Sequence, residues 1–176
     1  MNEKAAAIVS AIEHATRNLR VDATHHEAPP LNPNNSWEPH CSAFFRETMR
    51  QLRTRSQIKV SAIFIDENAN ANTLGIRIRH EKGDWKKLEA NIKDLQSMAN
   101  EGDIIAGSYV NPDPSKPGHL GFIFPADIQR DEPLIRDGNI HKTKTGQVTA
   151  ASSYGAVPAG KAFPLTHTQW FKYRHY

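Results

Sequence analysis

Apolar positions in the first twenty residues recur at Ile8, Ile12, Ala15 and Leu19, a helical spacing set among acidic and basic residues. The segment therefore reads as an amphipathic helix and not as a signal peptide or membrane span. Val21 to Ser36 breaks the pattern with Pro29, Pro30, Pro33 and the run Asn32-Pro33-Asn34-Asn35, which predicts a surface loop. A second helical stripe then runs through Cys41, Phe45, Thr48 and Leu52. It predicts a helix from Pro39 to Thr54, with proline at the first helical position and Arg50, Arg53 and Arg55 near the C-terminal end, where cations are favoured.

Gln57 to Ile65 is rich in β-branched and aromatic residues, and Leu74, Ile76 and Ile78 alternate with Gly75, Arg77 and Arg79. A hairpin is the expectation there, with a short helix as the alternative. From Trp85 the spacing Leu88, Ile92, Leu95, Met98 predicts a helix that stops at Gly102. The clearest β unit follows: a strand over 102–110, a long Pro-rich turn, and a second strand from His119 to Phe124. On alternation, His119, Gly121 and Ile123 face one side of that strand and Leu120, Phe122 and Phe124 the other. Residues 125–144 are charged and turn-rich, 148–151 suit a short strand, and 154–164 read as a loop. Thr168 to Arg174 predicts a closing strand with Phe171 and Tyr173 inward. No internal repeat or second domain is visible, so residues 1–176 are read as one domain of α+β class, a cysteine-bearing helix packed on an antiparallel sheet.

Composition narrows the chemistry only a little. The 176 residues are 38% hydrophobic and 23% charged, with a net charge of +3, a mild bias toward an anionic partner. A single cysteine excludes an intramolecular disulfide and leaves the compartment open. His25 and His26 stand near Asp22 and Glu27, but no Cys or His pair has zinc-site spacing, so neither metal nor cofactor is expected.

The same cysteine is the main chemical candidate. In the first turn of a helix, unpaired backbone N–H groups and the positive end of the dipole favour a thiolate. A buried small hydrophobe on the inner face of the helix is the competing account. A histidine partner decides between them, and His119, at the start of a strand, is placed for it. His40 is not, because it points about 100° away round the helix. Thiolate and imidazole together would serve acyl transfer, with the amides of Cys41 and Ser42 as oxyanion donors.

Four local sequences occur in a telling order: Cys41-Ser42-Ala43-Phe44, Asn68-Ala69-Asn70-Ala71, Gly102-Asp103-Ile104-Ile105 and Gly118-His119-Leu120-Gly121. This order resembles the NlpC/P60 superfamily of papain-like cell-wall amidases. In size and style the chain is most similar to the type VI secretion amidase effectors. The resemblance implies a papain-like fold, Cys41 as nucleophile, His119 as base, and an amide bond in the stem or crosslink of peptidoglycan as substrate. It also implies synthesis in the cytoplasm without a signal peptide and delivery to a rival's periplasm. A secretion tube or spike protein and a periplasmic immunity protein are the implied partners. Relatives orient the imidazole with a further polar residue; Asp127, Asp131 and His141 are candidates here, and spacing does not decide among them.

Two other enzyme readings use the same pair: a phage or autolytic hydrolase of the CHAP or NlpC/P60 type, and a papain-like protease or deamidase. A non-enzyme reading makes Trp170, Phe171, Lys172, Tyr173 and Arg174 a stacking surface for single-stranded nucleic acid.

Overall fold

The computed structural model describes residues 1–25, 40–56, 58–80, 84–126, 132–138, 140–142, 148–153 and 156–175; for 19–25, 40, 140–142 and 148–153 it describes the backbone alone. Helices α1 (Glu3–His25) and α2 (His40–Arg55) come first, on the apolar stripes that predict them, but α1 runs through residues 21–25, the start of the stretch expected as loop, because the first proline that bars a helix stands only at Pro29. Ile8, Ile12 and Ala15 of α1 and Cys41, Phe45, Thr48 and Leu52 of α2 are all buried.

Among the described residues between α2 and the first strand the expected hairpin is absent. A single 3-10 turn (Ala62–Phe64) and helix α3 (Ala71–His80) take its place. The alternation at Leu74, Ile76 and Ile78 is two readings superimposed. Leu74 and Ile78 are also four apart, and together with Ala71 they form the buried face of α3, while Ile76 is 47% exposed. Asn70 opens the helix by accepting from the Thr73 amide at 2.9 Å, the bond an N-cap side chain makes.

The helix expected from Trp85 is also divided. Trp85–Leu88 is strand β1, and helix α4 (Ile92–Asn100) starts only after Asn91, whose side chain accepts from the Lys93 amide. Trp85 packs in one core and Leu88 against the other, as successive faces of a strand require.

Strands β2 (Ile105–Tyr109) and β3 (His119–Ile123) form the expected antiparallel pair. The stretch 125–144 holds two strands that the charge-rich sequence does not suggest, β4 (Leu134–Arg136) and β5 (Ile140–Lys142). Then follow β6 (Val148–Ser153), β7 (Val157–Pro158), a single helical turn α5 (Ala159–Ala162), a 3-10 turn (Leu165–His167) and β8 (Gln169–Tyr173). Strand β7 and α5 occupy the stretch 154–164 that its glycines and prolines mark as loop. Six strands form one sheet in the order β1-β8-β2-β3-β4-β7, every pairing antiparallel, and β5 and β6 pair separately.

One face of the large sheet is covered by α2 and α3, and α1 packs on α2. Here Phe45 stacks on Phe122 with ring centroids 4.8 Å apart and lies 6.1 Å from Trp85, while Phe44 meets Phe122 edge-on. The opposite face packs Ile105, Ile123, Ile135, Phe163 and Trp170 against Leu95 and Ala99 of α4. The two faces also share out the rings of β8: Phe171 and Tyr173 join the first core and Trp170 the second. With all three rings buried, β8 lacks the aromatic surface that the nucleic-acid reading needs. Gln96, itself buried, ties α4 to the sheet by donating to the Phe124 carbonyl at 3.0 Å and accepting from the Leu134 amide at 2.9 Å.

Phe45 joins α2 to two strands, so its loss is felt in both layers. Phe45→Ala is expected to cost about 3–5 kcal/mol, read as a lower midpoint in urea denaturation.

Candidate active site

Cys41 is the second residue of α2, in the first turn, where helix amides lack intrahelical acceptors. Its side chain is fully buried against the core beneath the helix. Burial alone is what a core-filling cysteine shows, so the neighbour decides. His119 is the first residue of β3, and Leu120 and Phe122 of the same strand pack in the core beneath α2. The imidazole therefore stands at an end of the sheet. The Cys41 thiol lies near enough to influence its titration through both hydrogen bonding and charge. Cys41 and His119, 78 positions apart in sequence, are brought together.

A third group completes the line. The His119 Nε2 lies 2.8 Å from Asp137 Oδ2, and the Asp137 side chain is 1% exposed. An ionised carboxylate only accepts, so Nε2 carries the proton and donates it, which leaves Nδ1 for the thiol. Burial by itself pushes the His119 pKa down. The hydrogen bonds to Asp137 and Cys41, with the charges of both, outweigh burial and raise it to about 10 from an ordinary 6.5.

The group that meets the imidazole among the described residues is thus Asp137, which the sequence did not single out. Asp127 and Asp131 lie outside the described residues, as does the His141 side chain. Asp137 sits just beyond β4, next to Arg136, which pairs with Phe122 of β3. It is therefore beside Gly121, on the face that His119 shares. A Cβ built on Gly121 would come within 3.1 Å of the Asp137 Cβ and 2.9 Å of an Ile135 methyl. Glycine at 121 leaves room for the carboxylate to reach across to the imidazole. Gly138 follows with φ 75, a conformation that turns the chain away directly after Asp137. The available sequence signal was the apolar run Leu134-Ile135 ending in Asp137-Gly138, which reads as an ordinary turn.

The loop that delivers His119 is held from α3. Asn72 accepts from the Asn111 amide at 2.9 Å and donates to the Lys116 carbonyl at 2.9 Å, clamping both limbs of the β2–β3 connection. Asn72→Ala is expected to cost about 1–2 kcal/mol and to speed hydrogen exchange at the Asn111 amide, measured by NMR.

No protein-family model and no curated protein matches this sequence. What the site can do is read from its own chemistry. Among the described residues no three His, Cys, Asp or Glu side chains gather as metal ligands, and no helix is long and apolar enough to cross a membrane. A thiol in a first helical turn, an imidazole beside it and a buried carboxylate on the imidazole Nε2 are the groups that thiol-based acyl transfer uses.

Proposed function

We propose that this protein is a cysteine amidase of papain-like fold that cuts an amide bond in the peptide stem or crosslink of peptidoglycan. The observation that carries the reading is the grouping Asp137–His119–Cys41, with the carboxylate 2.8 Å from Nε2 and the thiol close enough to act on the same imidazole. The reaction starts when His119 takes the proton of the Cys41 thiol. The thiolate attacks the carbonyl carbon, and the amide of Cys41 itself, in the first helical turn, is placed to donate to the oxyanion. His119 passes its proton to the departing nitrogen as the C–N bond breaks, leaving a thioester. Water, deprotonated by His119, then attacks the thioester; the carboxylate leaves and the thiolate returns.

The substrate class rests on the ordered resemblance of four sequence elements to NlpC/P60 amidases. The same likeness supports a role as a type VI secretion effector, with a tube or spike protein for export and an immunity protein as its inhibitor. Incubation of purified sacculi with the protein, followed by mass spectrometry of the released muropeptides, tests the activity and names the bond. Intact sacculi after incubation with folded protein would remove the peptidoglycan reading; a panel of protein substrates then distinguishes protease or deamidase action. Expression in the periplasm of a Gram-negative host tests the delivery site: lysis there, and not from the cytoplasm, is the expected result.

A further inference from the structure

Two strands away from His119 the surface opens into a groove of about 490 Å³, formed by the end of β1, the residues leading to α4, the Leu165–His167 turn and the start of β8. That volume falls in the range of small-ligand sites, about 300–1,000 Å³. The sheet register fixes how it stands to the dyad. Gln169 in the groove pairs with Ser108, and Ser108 pairs with Leu120, the residue after His119. Two inter-strand steps span about 10 Å, the reach of about three residues of extended chain. Beneath this span the two places rest on shared buried rings: Phe163 lies 4.7 Å from the His119 ring and 5.6 Å from Trp170, which forms the floor of the groove.

The lining selects among ligand classes. Its cation, Lys87, is paired with Glu89 at 2.7 Å, so the groove offers no excess positive charge for a polyanion. Leu88, Ile92 and Leu165 share the lining with Thr166, Thr168 and Gln169, a mixture too polar for an acyl chain. Beside it, β1 is the edge strand of the six-stranded sheet, with one side not paired within that sheet. An extended peptide, with amides to hydrogen-bond and methylenes to bury, meets all three conditions.

We infer that this groove is a substrate subsite that binds the cell-wall peptide about three residues from the bond that is cut. The inference rests on the peptidoglycan reading and adds to it: affinity for long, crosslinked peptide comes from the β1–β8 end of the sheet, apart from the dyad. Thr166 is exposed and no part of the dyad, so Thr166→Trp fills the groove without disturbing the core.

The test compares a crosslinked dimeric muropeptide with the shortest fragment of it that the wild type still cuts. With Thr166→Trp, KM for the dimer is expected to rise about tenfold at unchanged kcat, as loss of uniform binding requires, while the short fragment is cut as before. Equal kinetics on the dimer, or equal loss on both substrates, would overturn the subsite. If the wild type cuts neither, the peptidoglycan activity fails by itself. The groove is then judged by calorimetric titration of Cys41→Ala protein with the dimer: binding weakened about tenfold by added Thr166→Trp supports it, and no binding or unaltered binding overturns it.

Discussion

Cys41→Ala and His119→Ala are each expected to abolish digestion of sacculi, lowering kcat/KM by about 10⁴-fold or more. In the proposed reaction the two side chains act as one unit, because the imidazole takes the thiol proton and passes it to the leaving group. The double variant is therefore expected to be no worse than either single one. The core-filling account makes the opposite prediction. If Cys41 only packs against the residues beneath α2, removing its sulfur costs about 1 kcal/mol of stability and leaves digestion intact. Circular dichroism and urea denaturation of Cys41→Ala alongside the digestion assay separate the two outcomes, since a folded, inactive variant is compatible only with a chemical role. Lysis from periplasmic expression by the wild type and by neither variant would extend the result to the cell.

Cys41 and His119 were legible in sequence because each carries a local signal. Proline precedes the cysteine helix, and glycine precedes the histidine strand. Asp137 has no such signal. Its role comes from lying beside Gly121 in the register of two strands, and register is a property of pairing that no window of sequence contains. Fold errors had a related origin. Trp85, Leu88, Ile92 and Leu95 fit a helical period only because a strand and a helix happen to abut in phase. Asn91 was the available marker of the true boundary, standing three residues before Asp94 as a capping pair does. In α3, by contrast, alternation and the four-residue spacing of Leu74 and Ile78 coexist, and the choice was made by packing: one face of the helix is buried and Ile76 is left outside. Strand β4 was hidden by brevity. Three residues flanked by charge and proline carry no period, yet they earn their place through pairing with β3 and with β7.

Asp137→Asn is expected to separate the charge at this position from its shape. The amide keeps an oxygen that accepts from Nε2, so the imidazole stays oriented, but the negative charge that helps hold the His119 proton is gone. The His119 pKa then falls from about 10 toward its ordinary 6.5. In the wild type the imidazolium persists until the pH approaches that upper value, so the alkaline limb of kcat/KM lies high; in Asp137→Asn it moves down by more than one pH unit. Asp137→Ala removes orientation as well and is expected to lower kcat about 10²-fold or more. Stability follows the same proton. A histidine whose folded pKa is raised contributes stability that is fully present below its unfolded value and lost as pH rises through the folded one. The stability difference between wild type and Asp137→Asn is therefore expected to be largest below about pH 6.5 and to shrink toward pH 10. Urea denaturation across that window, together with NMR titration of the His119 ring, measures both effects. A substitution that merely loosened β4 would lower stability equally at every pH and leave the alkaline limb where it was.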